Sequence, residues 1–286
     1  MGAMSTQGRV RIGELSRRTG VSIDLLRVWE RRYGVLAPER TAGGQRLYSV
    51  GDEQRIRAMQ AHLTGGMSAG EAARLVTQSG GAAVSAGELA RPLVAALDDL
   101  DEAGAHAALD RVFGELGVES ALTDVLMPYL RELGDRWACA EVTAAEEHFA
   151  SRLLHARLLG VARGWDGGSG PRALLACPPG EEHDLALIAF GIALSRRGWR
   201  VTYLGANTPI GAIQQMVRDV DVEVVVLAAT TPVRFAEVIE QLRELARAVP
   251  VAIAGAGANA RLAEDAGARL LEGDPVAGSA EIARAA

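Results

Sequence analysis

The sequence predicts a multidomain protein with a helix-turn-helix module, a four-helix bundle and a doubly wound α/β domain. Three observations support this fold class. Short apolar runs alternate with helix-period segments from residue 173 onward, the stretch 88–161 is helical in pattern almost throughout, and the first 60 residues combine a helix–glycine–helix pattern with many Arg. The expected domain limits are 1–80, 86–165 and 170–286.

Charge is distributed unevenly along the 286 residues. Through residue 60 there are 11 Arg and six acidic residues, whereas the whole chain carries 30 basic and 36 acidic residues. A basic end on an acidic body predicts that one module contacts a polyanion. No apolar run reaches the roughly 18 residues of a membrane span, and no signal peptide is visible. Cys139 and Cys177 lack metal-ligand spacing, which is typical of reduced, buried thiols, so we expect a cytoplasmic protein without membrane contact.

The first module pairs two short helices across a glycine turn. Gly20 separates the first helix from a second one, for which Ser22 is a natural N-cap. This spacing predicts that the second helix enters the DNA major groove. A turn-rich hairpin follows at residues 36–48. The predicted inward-facing residues are Ile12, Leu15, Val21, Leu25 and Leu26.

Over residues 9–78 this pattern resembles the winged-helix DNA-binding domain of MerR-type regulators. The resemblance implies a double-stranded DNA operator as partner, contacted by Arg27, Arg31, Arg46 and Tyr48. Arg at such positions can bond phosphates or guanine edges, although a solvated charged face is the alternative. The family dimerises through a long helix after this domain, and no long heptad pattern is visible. We therefore expect a homo-oligomer, a dimer or tetramer, that assembles through other surfaces.

Two glycine-rich segments divide the rest of the chain. Residues 78–87 and 164–170 are predicted linkers. Between them, four helices with short connections predict a bundle, with breaks near Gly104, Gly117 and Gly134. The predicted inward-facing residues are Leu93, Leu97, Leu100, Ala108, Leu109, Val112, Phe113, Leu122, Val125 and Leu126.

The last third of the chain predicts five parallel strands in a flavodoxin-like arrangement. Ligands of such sheets bind at the carboxyl ends of the strands, where His183 lies in the first loop. A capping or solvated histidine is the alternative at this position. No Gly-x-Gly-x-x-Gly follows the first strand, which disfavours a nicotinamide site. The strand candidates are 173–178, 201–204, 222–227, 251–254 and 268–271.

The pair Glu181-x-His183 resembles the Asp-x-His-x-x-Gly signature of cobalamin-binding domains. The resemblance implies that His183 ligates cobalt from below, while Glu181 holds the other ring nitrogen. Thr230, Gly255 and Gly257 are expected to line the cofactor site, since they follow later strands and small residues let backbone approach a bulky ligand. The chain departs from the signature at Ala186, Ala228 and Ala256, positions that concern the cofactor's nucleotide tail.

In the bundle, Trp137 is followed after nine residues by Glu147 and His148. This spacing resembles the hallmark of cobalamin-dependent MerR-type photoreceptor regulators, the CarH/LitR type. It implies that the bundle covers the cofactor's upper face, with Trp137 against the upper ligand and the Glu-His pair close by. In light-responsive members a histidine beside the Trp can take the cobalt after the upper group leaves. That position is Ala138, whose methyl group cannot ligate a metal, so His148 and His155 are the candidates that remain.

Together these resemblances predict a transcriptional regulator that senses light through adenosylcobalamin and changes its assembly and operator occupancy. One alternative is a light-independent cobalamin sensor. Another is a regulator that has lost cobalamin and reads a different ligand or partner. An enzyme is a rival of another class, because similar bundle and sheet pairs carry cobalamin in methyltransferases. The MerR-type module, together with the lack of a catalytic pattern, predicts that the protein is not an enzyme.

Overall fold

A computed structural model describes residues 10–40, 45–64, 67–78 and 85–285. The chain forms two compact units, Met1–Val84 and Ser85–Ala286. Gly43 and Gly44 of the predicted hairpin, and positions 79–84 of the first predicted linker, lie outside the described residues. Within the described ranges, no helix has the length and apolar character needed to cross a membrane.

The first unit is a helix-turn-helix followed by a hairpin and two further helices. Gly20 ends the first helix with φ 71°, and Ser22 caps the second by accepting a hydrogen bond from the Leu25 N–H at 3.3 Å. The predicted glycine turn and N-cap are therefore present. The elements are α1 Ile12–Thr19, α2 Ile23–Val28, a π-helical turn Trp29–Tyr33 that continues α2, β1 Glu39–Arg40, β2 Arg46–Leu47, α3 Val50–Thr64 and α4 Ala69–Gln78.

The core of this unit differs from the prediction at one residue. Leu26 is fully buried but Leu25 is exposed, because neighbouring residues on a helix point about 100° apart and only one of them can face inward. Trp29, one turn further along, fills the inward face. The largest buried side chains are Leu15, Leu26, Trp29, Tyr48, Ile56 and Met59.

The second unit begins with the predicted four helices. The third of these is a continuous run made of α7, a π-helical turn and α8. Gly134 lies inside α8, so the predicted break there is wrong; the chain turns instead at Ala140, which has φ 56°. Leu100 is exposed rather than inward, because it leaves its helix with φ 56°. The elements are α5 Ala86–Asp98, α6 Glu102–Leu116, α7 Val118–Ala121, the π-helical turn Leu122–Leu126, α8 Met127–Ala138 and α9 Ala144–Val161.

A five-stranded parallel sheet completes the second unit. Its order is β4-β3-β5-β6-β7, the doubly wound flavodoxin-like order that the sequence predicts. The order reverses between β3 and β5, which places the crevice for a ligand beside the loops that follow these two strands. The elements are β3 Arg172–Ala176, α10 Leu185–Ser195, β4 Arg200–Gly205, α11 Ile210–Asp219, β5 Val224–Ala228, α12 Pro232–Ala236, α13 Ile239–Ala246, β6 Val251–Ala254, α14 Ala260–Ala266, β7 Arg269–Leu270 and α15 Pro275–Ala285.

Helices cover both faces of this sheet, which explains the continuous apolarity of its strands. Along β3, Leu174 belongs to one core and Leu175 to the other, as alternation along a strand requires. The second predicted linker is part of this packing. Trp165 accepts a hydrogen bond from the Val201 N–H at 2.9 Å, and a Cβ added to Gly191 of α10 would lie 2.8 Å from the Trp165 ring. The segment between bundle and sheet is therefore docked on the sheet domain.

Candidate functional site

The crevice at the reversal of strand order is built by the loop after β3 and the loop after β5. The first loop carries Glu181 and His183, and the second carries Thr230. The Thr230 N–H and hydroxyl both donate to Oε2 of Glu181, at 2.6 and 2.7 Å. The carboxylate thus joins the two loops across the switch point of the sheet.

Glu181 also fixes the orientation of His183. Nδ1 of His183 lies 2.6 Å from Oε1 of Glu181, and the His183 backbone N–H donates to the same oxygen at 2.9 Å. Burial by itself raises the pKa of Glu181, but the hydrogen bonds from Thr230 and His183 hold the pKa below its ordinary value. An ionised carboxylate can only accept, so Nδ1 carries a proton, and in the neutral imidazole the lone pair is on Nε2.

The two side chains differ in exposure as such a pair requires. Glu181 is 2% exposed, whereas the His183 side chain is 73% exposed. The imidazole is therefore held at its inner nitrogen and presents the other nitrogen outward. This arrangement suits a single metal-ligand bond, because the hydrogen-bonded carboxylate fixes the tautomer and raises the basicity of the ligand.

Trp137, Glu147 and His148 lie where α8 ends and α9 begins. A capping box between Thr143 and Glu146 starts α9 and places Glu147 in its first turn. His148 Nδ1 lies 2.5 Å from Oε2 of Glu147, and Trp137 is 57% exposed.

Glu147 connects this part of the bundle electrostatically to the sheet loop. Burial by itself raises the pKa of Glu147, but hydrogen bonds from Ser151 and His148 hold the pKa below its ordinary value, and His148 and His183 lie close enough to lower it when they are protonated. The bundle thus brings Glu147 within electrostatic range of His183.

Ala138 ends α8 beside Trp137, and the two histidines predicted near it have different environments. His148 contacts Glu147 through Nδ1, whereas His155 points its Nε2 to Oδ2 of Asp184 at 3.3 Å. The Tyr203 hydroxyl donates to the same Asp184 oxygen. His155 is therefore engaged by the sheet domain.

The structure gives a reason for the lack of a side chain at Gly255 and Gly257 that the sequence did not reveal. A Cβ added to Gly255 would lie 2.4 Å from the Ala229 carbonyl oxygen, and one added to Gly257 would lie 2.5 Å from that of Thr231. The backbone after β5 occupies the space that a side chain at either position would need. Because both residues lack a side chain, the loop after β6 packs closely against the loop after β5.

The cysteines lie in opposite environments. Cys177 is buried beneath the loop that carries His183, and burial, with the nearby carboxylates, raises its pKa to about 12. Cys139 is exposed, so the expectation that both thiols are buried is wrong for this residue. It follows the last residue of α8, where the chain leaves the bundle core.

In the first unit, Arg27 and Arg31 form an exposed basic surface on α2 and its π-helical continuation. Within the part of the chain that the structure describes, neither guanidinium has a hydrogen-bond or ion-pair partner. Such free guanidinium groups are available for phosphates or base edges.

Arg46 and Tyr48 are organised by a residue that the sequence did not single out. Glu30 accepts from the Tyr48 hydroxyl at 2.7 Å and pairs with Arg46 at 3.1 Å. Tyr48 is 0% exposed, so its predicted role as a direct DNA contact is not supported by the structure. Its aromatic ring belongs to the core, and its hydroxyl positions Glu30 beside Arg46. In the sequence, Glu30 is one acidic residue among several Arg, and no pattern there indicates that it positions Arg46 and Tyr48.

Three protein families match successive parts of the chain. Residues 10–79 match the family described as MerR HTH family regulatory protein. Residues 89–159 and 171–286 match two families that are both described as B12 binding domain. The Methanosarcina barkeri monomethylamine corrinoid protein superposes with a TM-score of 0.61 at 13% identity, covering 71% of this chain and 100% of that one. At this identity the likeness shows the fold alone.

Two curated relatives match the chain over most of its length. It is 36% identical over 260 residues to the HTH-type transcriptional repressor CarA of Myxococcus xanthus, which covers 88% of each protein. It is 32% identical over 271 residues to the HTH-type transcriptional repressor CarH of the same organism, covering 88% of this chain and 91% of CarH. The predicted resemblance is confirmed: the chain belongs to the family of MerR-type, cobalamin-binding transcriptional regulators that includes CarA and CarH, and it is a DNA-binding regulator, not an enzyme.

Proposed function

We propose that this regulator binds adenosylcobalamin, with His183 as the lower ligand of cobalt, and that light alters its assembly and its occupancy of an operator. The observation that carries the proposal is the held imidazole: Nδ1 of His183 is bound by buried Glu181, and Nε2 faces outward. We propose Trp137, Glu147, His148, Glu181, Thr230, Gly255 and Gly257 as the other residues of the cofactor site.

The residues present fit this cofactor. Bound cobalamin would carry its own ring nitrogens on cobalt, so the protein would need to offer only a single side-chain ligand. His183 offers one imidazole, and no group of three or more His, Cys, Asp or Glu side chains within the described ranges is arranged to hold a metal ion. Trp137 adds an exposed flat indole that an adenosyl group could cover. Bound adenosylcobalamin would supply a cobalt–carbon bond that light breaks.

The chain's own residues would bind and orient the cofactor. Glu181 holds the proton on Nδ1 of His183, and Thr230 holds Glu181. Trp137 would pack against the bound cofactor, and loss of that packing would free the bundle to shift relative to the sheet domain. Such a two-state change of a capping bundle is what a ligand can bias, and it would change the homo-oligomer, a dimer or tetramer.

The test uses the purified full-length protein with adenosylcobalamin, kept dark or illuminated. We expect a bound absorption spectrum in the dark, a changed spectrum after light, and a change in oligomer size by light scattering. His183→Ala should lose tight binding or leave the cofactor's own base on cobalt. A bound spectrum of His183→Ala that is identical to wild type would remove the assignment of the lower ligand.

One second function is favoured by a specific residue. Ala138 offers no metal ligand beside Trp137, which favours a cobalamin sensor that works without light. The dark and illuminated arms of the same experiment separate the two functions. A light-independent sensor would change its assembly with cobalamin, whether dark or lit.

We retain the domain limits 1–80, 86–165 and 170–286 and the cytoplasmic location as part of the proposal.

A further inference from the structure

We infer that Asp184 is a positioning residue that fastens helix α9 of the bundle to the loop carrying His183, through His155 on one side and Tyr203 on the other. The contact rests on geometry in the second unit alone. Its consequence for the cofactor rests on the proposed function. The three side chains of this latch are Asp184, His155 and Tyr203.

Asp184 stands at the start of α10 but does not act as a helix cap. Aspartate at an N-cap ordinarily accepts from a backbone N–H in the first turn. Asp184 makes no such bond, and its backbone has φ −111° and ψ −3° rather than the extended conformation of a cap. Because it does not cap the helix, the carboxylate is available to other partners.

Both other partners reach the same carboxylate oxygen. The Tyr203 hydroxyl donates to Oδ2 of Asp184, and Nε2 of His155 lies 3.3 Å from that atom. Asp184 is 8% exposed, whereas the His155 side chain is 38% exposed, so the shared carboxylate is largely shielded from water and the imidazole is only partly covered. Contacts to a buried carboxylate specify one arrangement of the elements that carry them, because breaking them leaves a buried charge without a partner.

Tyr203 is itself held by the segment that joins bundle and sheet. Its ring centroid lies 5.4 Å from that of Trp165, and the two rings are inclined at 55°. The latch thus connects four parts of the second unit: β4 through Tyr203, the joining segment through Trp165, the ligand loop through Asp184 and α9 through His155.

The latch lies next to residues of the proposed cofactor site, both in sequence and along α9. Asp184 directly follows His183, and His155 lies seven residues after His148 on the same helix. A displacement of the His183 loop therefore moves the Asp184 carboxylate and changes how α9 packs on the sheet domain. We expect α9, which carries Glu147 and His148 at its start, to remain packed against the His183 loop while the latch is intact.

A second contact between bundle and sheet domain provides the matched control. Arg197, beyond the other end of α10, donates to Glu119 of α7 at 2.9 Å. An eleven-residue helix spans about 16 Å, so this ion pair lies far from the His183 loop. Breaking it should leave the latch untouched.

The first experiment measures hydrogen exchange of the α9 peptide in the full-length protein without cofactor. Tyr203→Phe keeps the ring beside Trp165 and removes the hydroxyl, and His155→Gln removes the imidazole. We expect exchange in α9 to become roughly tenfold faster in each variant, the effect of losing one hydrogen bond to a charged group. Both substitutions remove a contact to the same carboxylate. The increase in exchange rate in the double variant should therefore be smaller than the product of the two single increases.

Two controls make the result specific. Arg197→Gln should leave exchange in α9 unchanged. Tyr129→Phe should also leave it unchanged, since the buried Tyr129 hydroxyl has no hydrogen-bond partner among the residues that the structure describes. Unchanged α9 exchange in both Tyr203→Phe and His155→Gln would overturn the latch, whatever the cofactor does.

The second experiment measures release of adenosylcobalamin in the dark from the same full-length variants. We expect release to be several-fold faster from Tyr203→Phe than from wild type or Arg197→Gln. Faster exchange in α9 with unchanged release would overturn the link between latch and site. If wild type itself bound no cobalamin while the latch variants loosened α9, the proposed function would fail and the latch would stand.

Discussion

His183 and Glu181 form a pair in which one side chain is 73% exposed and the other 2%, joined by a contact of 2.6 Å between Nδ1 and Oε1. The buried carboxylate sets the tautomer, and the exposed imidazole offers Nε2. A histidine that only capped a helix or was solvated would not need a buried partner with further hydrogen bonds from Thr230.

Glu181→Gln tests this relationship directly. The amide offers an N–H where the carboxylate accepted, so it cannot accept from both His183 and Thr230 at once. We expect cobalamin affinity to fall by about 10–100-fold, the usual effect of losing such a supporting contact. Equilibrium dialysis measures the affinity, and nitrogen NMR of the apoprotein reports the tautomer of His183. An unchanged tautomer together with unchanged affinity would contradict the role of Glu181.

DNA binding should separate the free arginines from the buried tyrosine. For Arg27→Ala we expect weaker operator binding and a salt dependence whose slope falls by about 1, because one phosphate contact is lost. For Tyr48→Phe we expect a loss of about 1 kcal/mol in the free energy of unfolding with the salt slope retained, since the hydroxyl contacts Glu30. Fluorescence anisotropy over a salt series measures both. A neutral hydroxyl releases no counterion, so weaker operator binding by folded Tyr48→Phe at an unchanged slope would restore Tyr48 as a phosphate contact.

The stability of the first unit should depend on pH through Asp52, whose side chain is 1% exposed. Burial by itself raises the pKa of Asp52, but hydrogen bonds from Ala37, Ser49 and Arg55 hold the pKa below its ordinary value. A lowered folded-state pKa means that this stabilisation is fully present above the unfolded pKa of about 4 and is lost as the pH falls through the folded value.

Asp52→Asn should therefore cost about 1–3 kcal/mol in the free energy of unfolding at pH 7 and flatten the loss of stability below pH 4. Urea titrations followed through the methyl signal of buried Ile56 report on this unit within the full chain. Equal acid sensitivity of variant and wild type would show that other carboxylates dominate.

Two glycine substitutions should have opposite effects on the second unit. Gly257→Ala places a Cβ 2.5 Å from the Thr231 backbone, and we expect a loss of about 1–3 kcal/mol in the free energy of unfolding. Gly134→Ala lies inside α8 with nothing within 4 Å, and we expect a gain of about 0.5–1 kcal/mol. Urea unfolding followed by circular dichroism measures both. A neutral Gly257→Ala would show that the loops after β5 and β6 can separate.

Ala138→His addresses the response to light. An imidazole at the end of α8 can ligate a metal where a methyl group cannot, so we expect the illuminated variant to retain cobalamin longer than illuminated wild type. His148→Ala tests whether His148 takes that role in wild type. Cofactor release after illumination and the absorption spectrum are measured together. Equal retention in all three proteins would exclude capture by either histidine.

Local sequence patterns determined the elements and their order. Continuous apolar runs predicted the buried parallel strands, and Gly20 and Ser22 predicted the turn and the cap of the second helix, because each signal depends on nearby residues alone. The same is true of Glu181 and His183, whose two-residue spacing permits their contact within one loop. Gly134 misled the prediction, since a glycine inside a helix is tolerated when the surrounding packing continues it.

Only the tertiary structure decided which distant side chains meet. Glu181 finds Thr230 because β3 and β5 are neighbours in the sheet, and Asp184 finds Tyr203 and His155 because β4 and α9 adjoin the same loop. Glu30 and Tyr48 likewise pair across the first unit. These contacts join residues separated by 18 to 49 positions. A single sequence contains no periodicity that links such positions, so burial and chain topology alone assign them their partners.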